Sequence, residues 1–443
     1  MSISATSGVV SNIDYQSLIS QLVGLKKQAI TNLNTEKKTL EKTNSAYSSL
    51  STKIQDLKTA ADGVRTATGF KVFKTSSTDD AILGATATSS ASSGSYSIVV
   101  TNIAKAHKIA ADGVAASTST IAAGAGSFKF TVGSGVEQTV SVDATTTLTG
   151  LKDAINALSA GVTATVINDG SATSPYRLIL TSGSTGASNG VTITQNDTSL
   201  LFPTTLQAAQ DASFTVDTMS FTRSSNSVSD VITGVTFDLK SGDAAKTVTL
   251  SVERDSTEIS KKVTAMVDAY NSVVSYIKAN NRYNSETKTA GAFFGDSVAK
   301  SVWDDLRKVM TSAVSGLPDT MNRLLHIGVT SDTEGVFTLD SSKLKTALST
   351  SFDDVVKLFE DGTTTDGFGA LFYDLASNID DSVDGRIKGR QNGLNKNIDK
   401  IESDILNKET AAAAYEEQLR AQFTGLETML ASLQHQSSFL SRL

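Results

Sequence analysis

The 443-residue chain has no cysteine, three prolines, three histidines and a single tryptophan, Trp303. Without cysteine there is no disulfide framework, no thiol nucleophile and no cysteine-based metal site. Such a composition suits the cytosol, and equally an exported protein that never relies on oxidative folding. Aromatic residues make up 6% and apolar residues 39%, enough for several modest cores but not for one large one. At roughly 150 residues per domain, about three domains are expected. No stretch approaches the ~18 apolar residues of a membrane span. The first basic residue is Lys26, and residues 1–25 lack a basic start followed by an apolar run. No cleaved signal peptide is therefore expected, and the chain stays in the cytosol or leaves by a route that reads no such signal. A strong positive charge is missing too. The net charge is −7, whereas nucleic-acid binding needs clustered Lys and Arg. Lys26, Lys27, Lys37 and Lys38 are interspersed with Glu36 and Glu41 and read as a solvated helix face.

The residues that carry chemistry are equally sparse. His107, His326 and His435 lie far apart and share no metal-ligand spacing. The glycine-rich run Ser182–Gly190 has no following Lys-Ser/Thr and precedes the strand-like Val191–Ile193, so it reads as a surface turn. The acidic pairs Asp79-Asp80, Asp304-Asp305, Asp353-Asp354 and Asp380-Asp381 are neighbours in sequence, and three of them fall on or beside expected helices. Adjacent residues do not face one another on a helix, so these are helix starts or solvated surface. Asp332–Gly335 is a partial calcium-loop pattern without the full ligand set, and a hairpin turn accounts for it better. No Gly-x-Ser-x-Gly elbow is present. No enzymatic activity, cofactor or metal is expected.

What the chain does have is helical patterning at both ends. One ladder runs Tyr15, Leu18, Leu22, Leu25, Ala29, Leu33, Leu40, Tyr47, Leu50, Ile54, Leu57, Ala61, Val64. The other runs Leu394, Ile398, Ile401, Ile405, Ala412, Tyr415, Leu419, Phe423, Leu426, Leu430, Leu433, Leu440. Alternating steps of three and four are the spacing of a coiled-coil seam. Consecutive steps of four at Leu25–Ala29–Leu33 and Tyr415–Leu419–Phe423 mark stutters, where the supercoil changes locally. Residues 1–14 are Ser/Gly-rich and read as disordered when alone.

Between the ladders the period switches to two. Tyr96–Val100, Phe128–Val132, Val162–Val166, Leu178–Leu180, Phe214–Val216, Val235–Leu239 and Val248–Val252 read as strands, with Gly, Asn, Asp and Ser between them. One helix interrupts, with Leu148, Leu151, Ile155 and Leu158 on one face and Thr147 as its N-cap. Helical spacing returns at Ile259, Val263, Met266, Tyr270, Val273 and Ile277. It continues at Val298–Val309 and at Phe368–Val383, with a hairpin around Asp332–Gly335.

Short connections make a nested arrangement the simplest one. The fold class is α+β and multidomain: a discontinuous helical-bundle and coiled-coil leg domain from both termini, with two nested β-rich insertion domains. The expected bounds are 1–40 and 410–443 for flexible terminal coiled-coil segments, and 41–72 with 258–409 for the helical leg. The outer β domain takes 73–105 with 206–257, and the inner one 106–205. Amphipathic helices usually bury their stripe within their own domain. The outer segments have no evident partner inside the chain, so their stripes are expected to face another molecule and to order on docking.

A series of short segments runs in order along the chain: Gly8–Asp14 followed by Leu18–Val23, then Ala85–Ala91 and Gly94–Val100, then Thr146–Leu148, Leu151–Asn156, Val166–Gly170 and Leu180–Gly183. Ser225–Val228, Ile232–Thr236, Val267–Asn271, Gly295-Asp296, Ile327–Thr330 and Ser437–Leu440 continue it to the tail. Together these resemble a known family, the flagellar filament cap proteins, also described as flagellar hook-associated protein 2: the first group is similar to its opening, the second to its first β segment and the third to its inner module. Asn12 and Thr218 stand where the family has glycine. The resemblance implies an extracellular protein, exported through the flagellar type III pathway with the help of an export chaperone. It implies a ring-shaped homo-oligomer at the filament tip that helps flagellin fold and insert. No nucleic-acid partner and no membrane span are implied. Leu18, Leu22, Leu25, Phe423, Leu426, Leu430, Leu433 and Leu440 are then the contacts expected with the filament or a neighbouring subunit. A structural axial component, of flagellin or hook–filament junction type, or a surface adhesin are the alternative readings.

Overall fold

The structure is a computed structural model that describes residues 13–362 and 365–440, with the side chains of Phe439 and Leu440 excepted. The opening segment expected to be disordered lies almost wholly outside the described residues. The chain forms two compact units, Met1–Phe70 with Thr257–Leu443, and Lys71–Ser256.

The first unit is helical. Its two longest elements are α1 (Tyr15–Asp62) and the C-terminal helix Arg386–Leu440, called αC below. At 1.5 Å per residue they run about 70 and 80 Å. They pair antiparallel. Lys37 Nζ lies 2.6 Å from Glu402, Asn44 Nδ2 donates to Asn395 Oδ1 at 2.8 Å, and Gln391 Nε2 donates to Ser48 Oγ at 3.0 Å. Each step forward along α1 is matched by an equal step back along αC, so the register does not slip. Toward the base of the coil, Tyr47, Leu50, Ile54, Leu57 and Ala61 of α1 are buried. They share the interior with Val263, Met266, Tyr270, Val273 and Ile277 of the helix Ser256–Asn280, and with Phe368, Phe372, Ala376 and Ile379 of the helix Phe368–Ile379. The last helix ends at Ile379, short of the expected Val383, which is 77% exposed. The chain turns there because Asp381 Oδ1 accepts from the amides of Val383 and Asp384, at 2.8 and 2.9 Å. The hairpin read around Asp332–Gly335 is present, pairing Val329–Ser331 with Phe337–Leu339.

A polar pin closes the base of the coil. Asp296 caps the helix Ser297–Thr311 by accepting from the amides of Val298 and Ala299. The Tyr47 hydroxyl donates to Asp296 Oδ1 at 2.5 Å, and Arg390 donates to Oδ2 at 3.0 Å. Only 5% of the Asp296 side chain meets solvent. Burial would raise its pKa, but the Tyr47 hydroxyl, the Ala299 amide and Arg390 together hold it below the ordinary carboxylate range. The Tyr47 hydroxyl is pushed up, by burial first and by the facing carboxylate second.

The second unit is built of antiparallel sheets around two separate cores. In the outer part, a five-stranded sheet runs, in spatial order, Phe73–Ser77, Val248–Arg254, Gly94–Asn102, Ala212–Val216 and Met219–Arg223. A three-stranded sheet of Ser227–Ile232, Val235–Leu239 and Leu83–Ala87 packs with it. Alternation places Ile98, Val100, Phe214, Val216, Leu250 and Val252 inward to meet Phe237 and Leu239. In the inner part, a four-stranded and a three-stranded sheet share a core with the helix Leu148–Ala157. That helix is capped by Thr147, whose hydroxyl accepts from Gly150 N at 3.0 Å, and it buries Leu148, Leu151 and Ile155. Its neighbour Leu158, expected on the same face, is exposed at the C-cap. The chain enters and leaves the inner part side by side, where Lys105 and Gln210 exchange two backbone hydrogen bonds of 2.8 and 3.1 Å. The strands expected from period-two runs are all present. Others, such as Phe73–Ser77 and Gln138–Val142, are short and rich in Ser, Thr and Gln, and their alternation carries little hydrophobic signal. The two nested β-rich insertions within a helical domain drawn from both termini are thus the architecture of the chain.

Candidate functional site

The far end of the coil brings together most of the residues expected to face a partner, but not in the expected way. The outer segments pair with each other. Tyr15, Ile19, Val23 and Leu419 are buried there, with Tyr415 and Phe423 packed against them. The rings of Tyr15 and Phe423 stack with centroids 4.6 Å apart. Lys26 Nζ sits 5.4 Å above the Tyr415 ring, and Arg420 bridges Glu416 at 2.8 Å and Gln16 at 3.2 Å. Phe423 is therefore a seam residue.

The seam on α1 lies one residue away from the ladder read in the sequence. Ile19 and Val23 are inside, whereas Leu18, Leu22 and Leu25 are exposed. Their neighbour Ala29 is exposed too. Two stripes offset by one residue have the same three-and-four spacing, so periodicity cannot choose between them. The partner helix chooses. Tyr15–Ile19–Val23 takes two steps of four and faces Tyr415–Leu419–Phe423, which does the same. Both seams take consecutive steps of four where they meet, but on α1 this falls at Tyr15–Ile19–Val23 and not at Leu25–Ala29–Leu33, where the sequence placed it and where Leu25 and Ala29 are exposed.

The last of the displaced leucines, Leu25, lines a groove. Leu25, Lys26 and Ala29 face Lys408, Ala411, Ala412, Ala414, Tyr415 and Gln418 across a cleft of about 670 Å³. The alanines bring a small-residue floor close to the surface, which is the shape that admits another helix. Helical steps from Ala411, Ala414 and Gln418 carry this wall on to Gly425, Met429 and Leu433. Met429 is 62% exposed and Leu433 half exposed. Leu426 is exposed as well and Leu430 is partly buried. The side chain of Leu440 lies outside the described residues. Ile19, Val23, Ala411, Ala413, Ala414 and Met429 were not singled out from the sequence as packing or wall residues, though Ala412 stood in the ladder. The alanine run Ala411–Ala414 was its one visible signal, since four small residues in a coiled-coil helix mark a close approach.

Two of the sequence's other candidates have structural occupations. His107 Nδ1 accepts from the amide of Val191 at 2.9 Å. Asp332 Oδ1 accepts from the amides of Glu334 and Val336, closing the hairpin. Among the described residues no three His, Asp or Glu side chains cluster so as to hold a metal ion. Among the described residues no helix is long and apolar enough to cross a membrane.

Three family models match the chain. "Flagellar hook-associated protein 2 N-terminus" covers residues 11–107, "Flagellin hook IN motif" covers 127–184, and "Flagellar hook-associated protein 2 C-terminus" covers 209–435. The B-type flagellar hook-associated protein 2 of Pseudomonas aeruginosa is 29% identical over 95% of this chain and 93% of its own length. The flagellar hook-associated protein 2 of Escherichia coli K12 is 28% identical over 98% of this chain and 97% of its own length. The crystal structure of the D1-D2-D3 domains of the flagellar cap protein FliD from Escherichia coli is similar in fold, with a TM-score of 0.65 at 26% identity. It aligns with 79% of this chain and 99% of that structure. With matches in order from residue 11 to residue 435, and one family model spanning just over half its length, this chain belongs to the flagellar hook-associated protein 2 family.

Proposed function

We propose that this protein caps the growing bacterial flagellar filament as a structural, non-enzymatic assembly factor. Copies form a ring at the distal tip, newly exported flagellin folds and inserts beneath it, and flagellin that would otherwise diffuse away is retained. The chain reaches the tip through the flagellar export pathway, held beforehand by an export chaperone. The β-rich insertions form the cover and the helical domains the legs.

The observation that supports this best is the surface left free on the outer coil. Leu18, Leu22 and Leu25 of α1 are exposed although Ile19 and Val23 beside them are paired, and Leu25 with Ala29, Ala411, Ala412 and Ala414 lines a cleft of about 670 Å³. A free amphipathic helix laid into that groove would complete a three-helix packing and remove these side chains from water. Burying one leucine stabilises such a contact by about 1.5–3 kcal/mol. Flagellin subunits, or the coils of neighbouring caps, are the helices it would accept.

The test is complementation of a strain lacking the gene. The wild-type chain should restore filaments and keep flagellin out of the medium, with immunogold label at filament tips. Label along the whole shaft would instead indicate a structural axial component. Joint replacement of Leu426, Leu430 and Leu433 by Gln should leave the protein folded by circular dichroism and return flagellin to the medium. Normal filament growth in that variant rules out the docking role of the outer coil.

A further inference from the structure

The base of the coil carries a second surface that the groove does not use. The helix Ser256–Asn280 ends in a small hairpin, Tyr283–Asn284 paired with Thr289–Ala290. Tyr283 and Phe294 stand on it with ring centroids 5.7 Å apart, and are 52% and 56% exposed. Two exposed aromatic rings in contact are unusual on a polar surface and are the commonest anchors of protein interfaces. On either side lie clefts of about 650 and 570 Å³ that share Lys42 and Thr289–Gly291. Lys42, Arg282 and Lys288 surround the rings, all exposed, and among the described residues none of them pairs with a carboxylate. The patch is aromatic at its centre and mainly cationic at its rim, where Glu286 is an exposed carboxylate among Lys42, Arg282 and Lys288.

Its chemical complement exists on the same chain. On αC the positions Asp399, Glu402, Leu406, Glu409, Ala413 and Glu417 follow steps of three and four and share one face. That face carries four carboxylates and no cation. Leu406, 64% exposed, is its single large apolar side chain. It lies about 140° round the helix from Ala411 and about 80° from Ala414, outside the lining of the groove described above. Glu402 is engaged by Lys37, but Glu409 and Glu417 are exposed and have no ion pair among the described residues.

We propose that the aromatic hairpin Tyr283/Phe294 with its cationic rim is a docking surface for a second copy of this chain, which presents the acidic face of αC around Leu406. Leu406 fills the space beside the rings, and the flanking carboxylates meet Lys42, Arg282 and Lys288. The two patches differ, so the contact is head-to-tail and propagates from copy to copy until it closes. Opposite charge at the rim sets the register and speeds encounter, while the buried aromatic centre supplies most of the affinity. This proposal deepens the self-assembly half of the capping reading and rests on it.

The experiment uses the full chain and measures self-association by sedimentation velocity across concentration. Lys42→Glu with Arg282→Glu should weaken association at least tenfold, and Glu409→Lys with Glu417→Lys should do the same. All four changes in one chain should restore it. All the changed side chains are exposed, and unchanged thermal melting verifies that the variants fold. Because the natural chain has no cysteine, Ser285→Cys with Ala413→Cys adds a direct readout. Under oxidation the double variant should give covalent multimers larger than dimers, and each single variant none. Association indifferent to charge reversal, failure of the fourfold variant to recover, a chain that stays monomeric, or an absent ladder overturns the proposal. Flagellin retention by the same variants in cells is scored separately. A wild-type chain that fails to retain flagellin refutes capping whatever the cross-links show. Retention without the ladder refutes only this surface.

Discussion

Single residues show where this chain departs from easy chemistry. Asp217 and Thr218 turn the hairpin between Ala212–Val216 and Met219–Arg223 with φ of 48° and 73°. A β-branched side chain in the left-handed region is strained, at about 1–2 kcal/mol. Asp217 offsets part of this by accepting from Ser97 N at 2.8 Å. Thr218→Gly should therefore stabilise the β-rich unit by about 1 kcal/mol, read from its thermal midpoint, whereas Thr218→Ala should gain much less. The family's glycine at this place was noted from the sequence, but the strain at Thr218 was visible only once the turn's backbone was known. Asp296 is the other telling residue. Its carboxylate is held below the ordinary range, so the folded chain binds the proton less readily than the unfolded chain. The stability this contributes is present at neutral pH and lost as the pH falls below about 4, through the folded value. Asp296→Asn should cost the helical unit about 1–3 kcal/mol at pH 7. In urea titrations at successive pH values the gap to wild type should narrow as the pH falls through the folded value, and a gap of constant size would contradict the assignment.

At the scale of elements, the long helices are held by pairing and not by propensity. On α1, Thr31, Thr35, Thr39 and Thr43 each return a hydroxyl to the carbonyl four residues earlier, at 3.0–3.2 Å. Such bonds make a helix interior no more stable and often less. The seam therefore carries the distal coil, and seam and wall should separate cleanly by mutation. Ile19→Ser, inside the seam, should raise hydrogen exchange in both 15–30 and 408–425, because loss of a packed aliphatic side chain costs about 2–4 kcal/mol. Leu22→Ser, one step outside it, should leave exchange unchanged and impair flagellin retention. The reverse result would show that the buried stripe had been misassigned. Helical ladders and alternating strands were readable because burial imposes their periods on sequence. The short helices Ser341–Thr350 and Phe352–Phe359 were not singled out. They are only two to three turns long, too short for a period to stand out.

For the whole molecule, the deciding feature is that the β-rich unit begins and ends at one place. Phe73 pairs with Arg254 and Ser77 with Leu250 across adjacent antiparallel strands. A piece cut at residues 71 and 256 keeps both cores and joins its own ends, so it should fold alone. Expressed as that fragment, it should melt cooperatively at the midpoint of one of two transitions seen in calorimetry of the full chain. A fragment that shows no cooperative transition would mean that the helical unit is needed to hold it.

Composition and pattern alone excluded thiol chemistry and cysteine-based metal sites, placed helices at both ends and strands between them, and implied the nesting. These properties are local or nearly so. The hydrophobic period is written into each segment, and a nested order needs only short connections. The identity of the free surface is not local. Leu18, Leu22 and Leu25 and the stripe Tyr15, Ile19, Val23 are equally good seams on an isolated helix. Which one is buried depends on where Leu419, Tyr415 and Phe423 arrive from a segment some four hundred residues away. That choice needed the partner helix in place, and with it came the groove, because every residue drawn into one side of a coil leaves its neighbour facing outward.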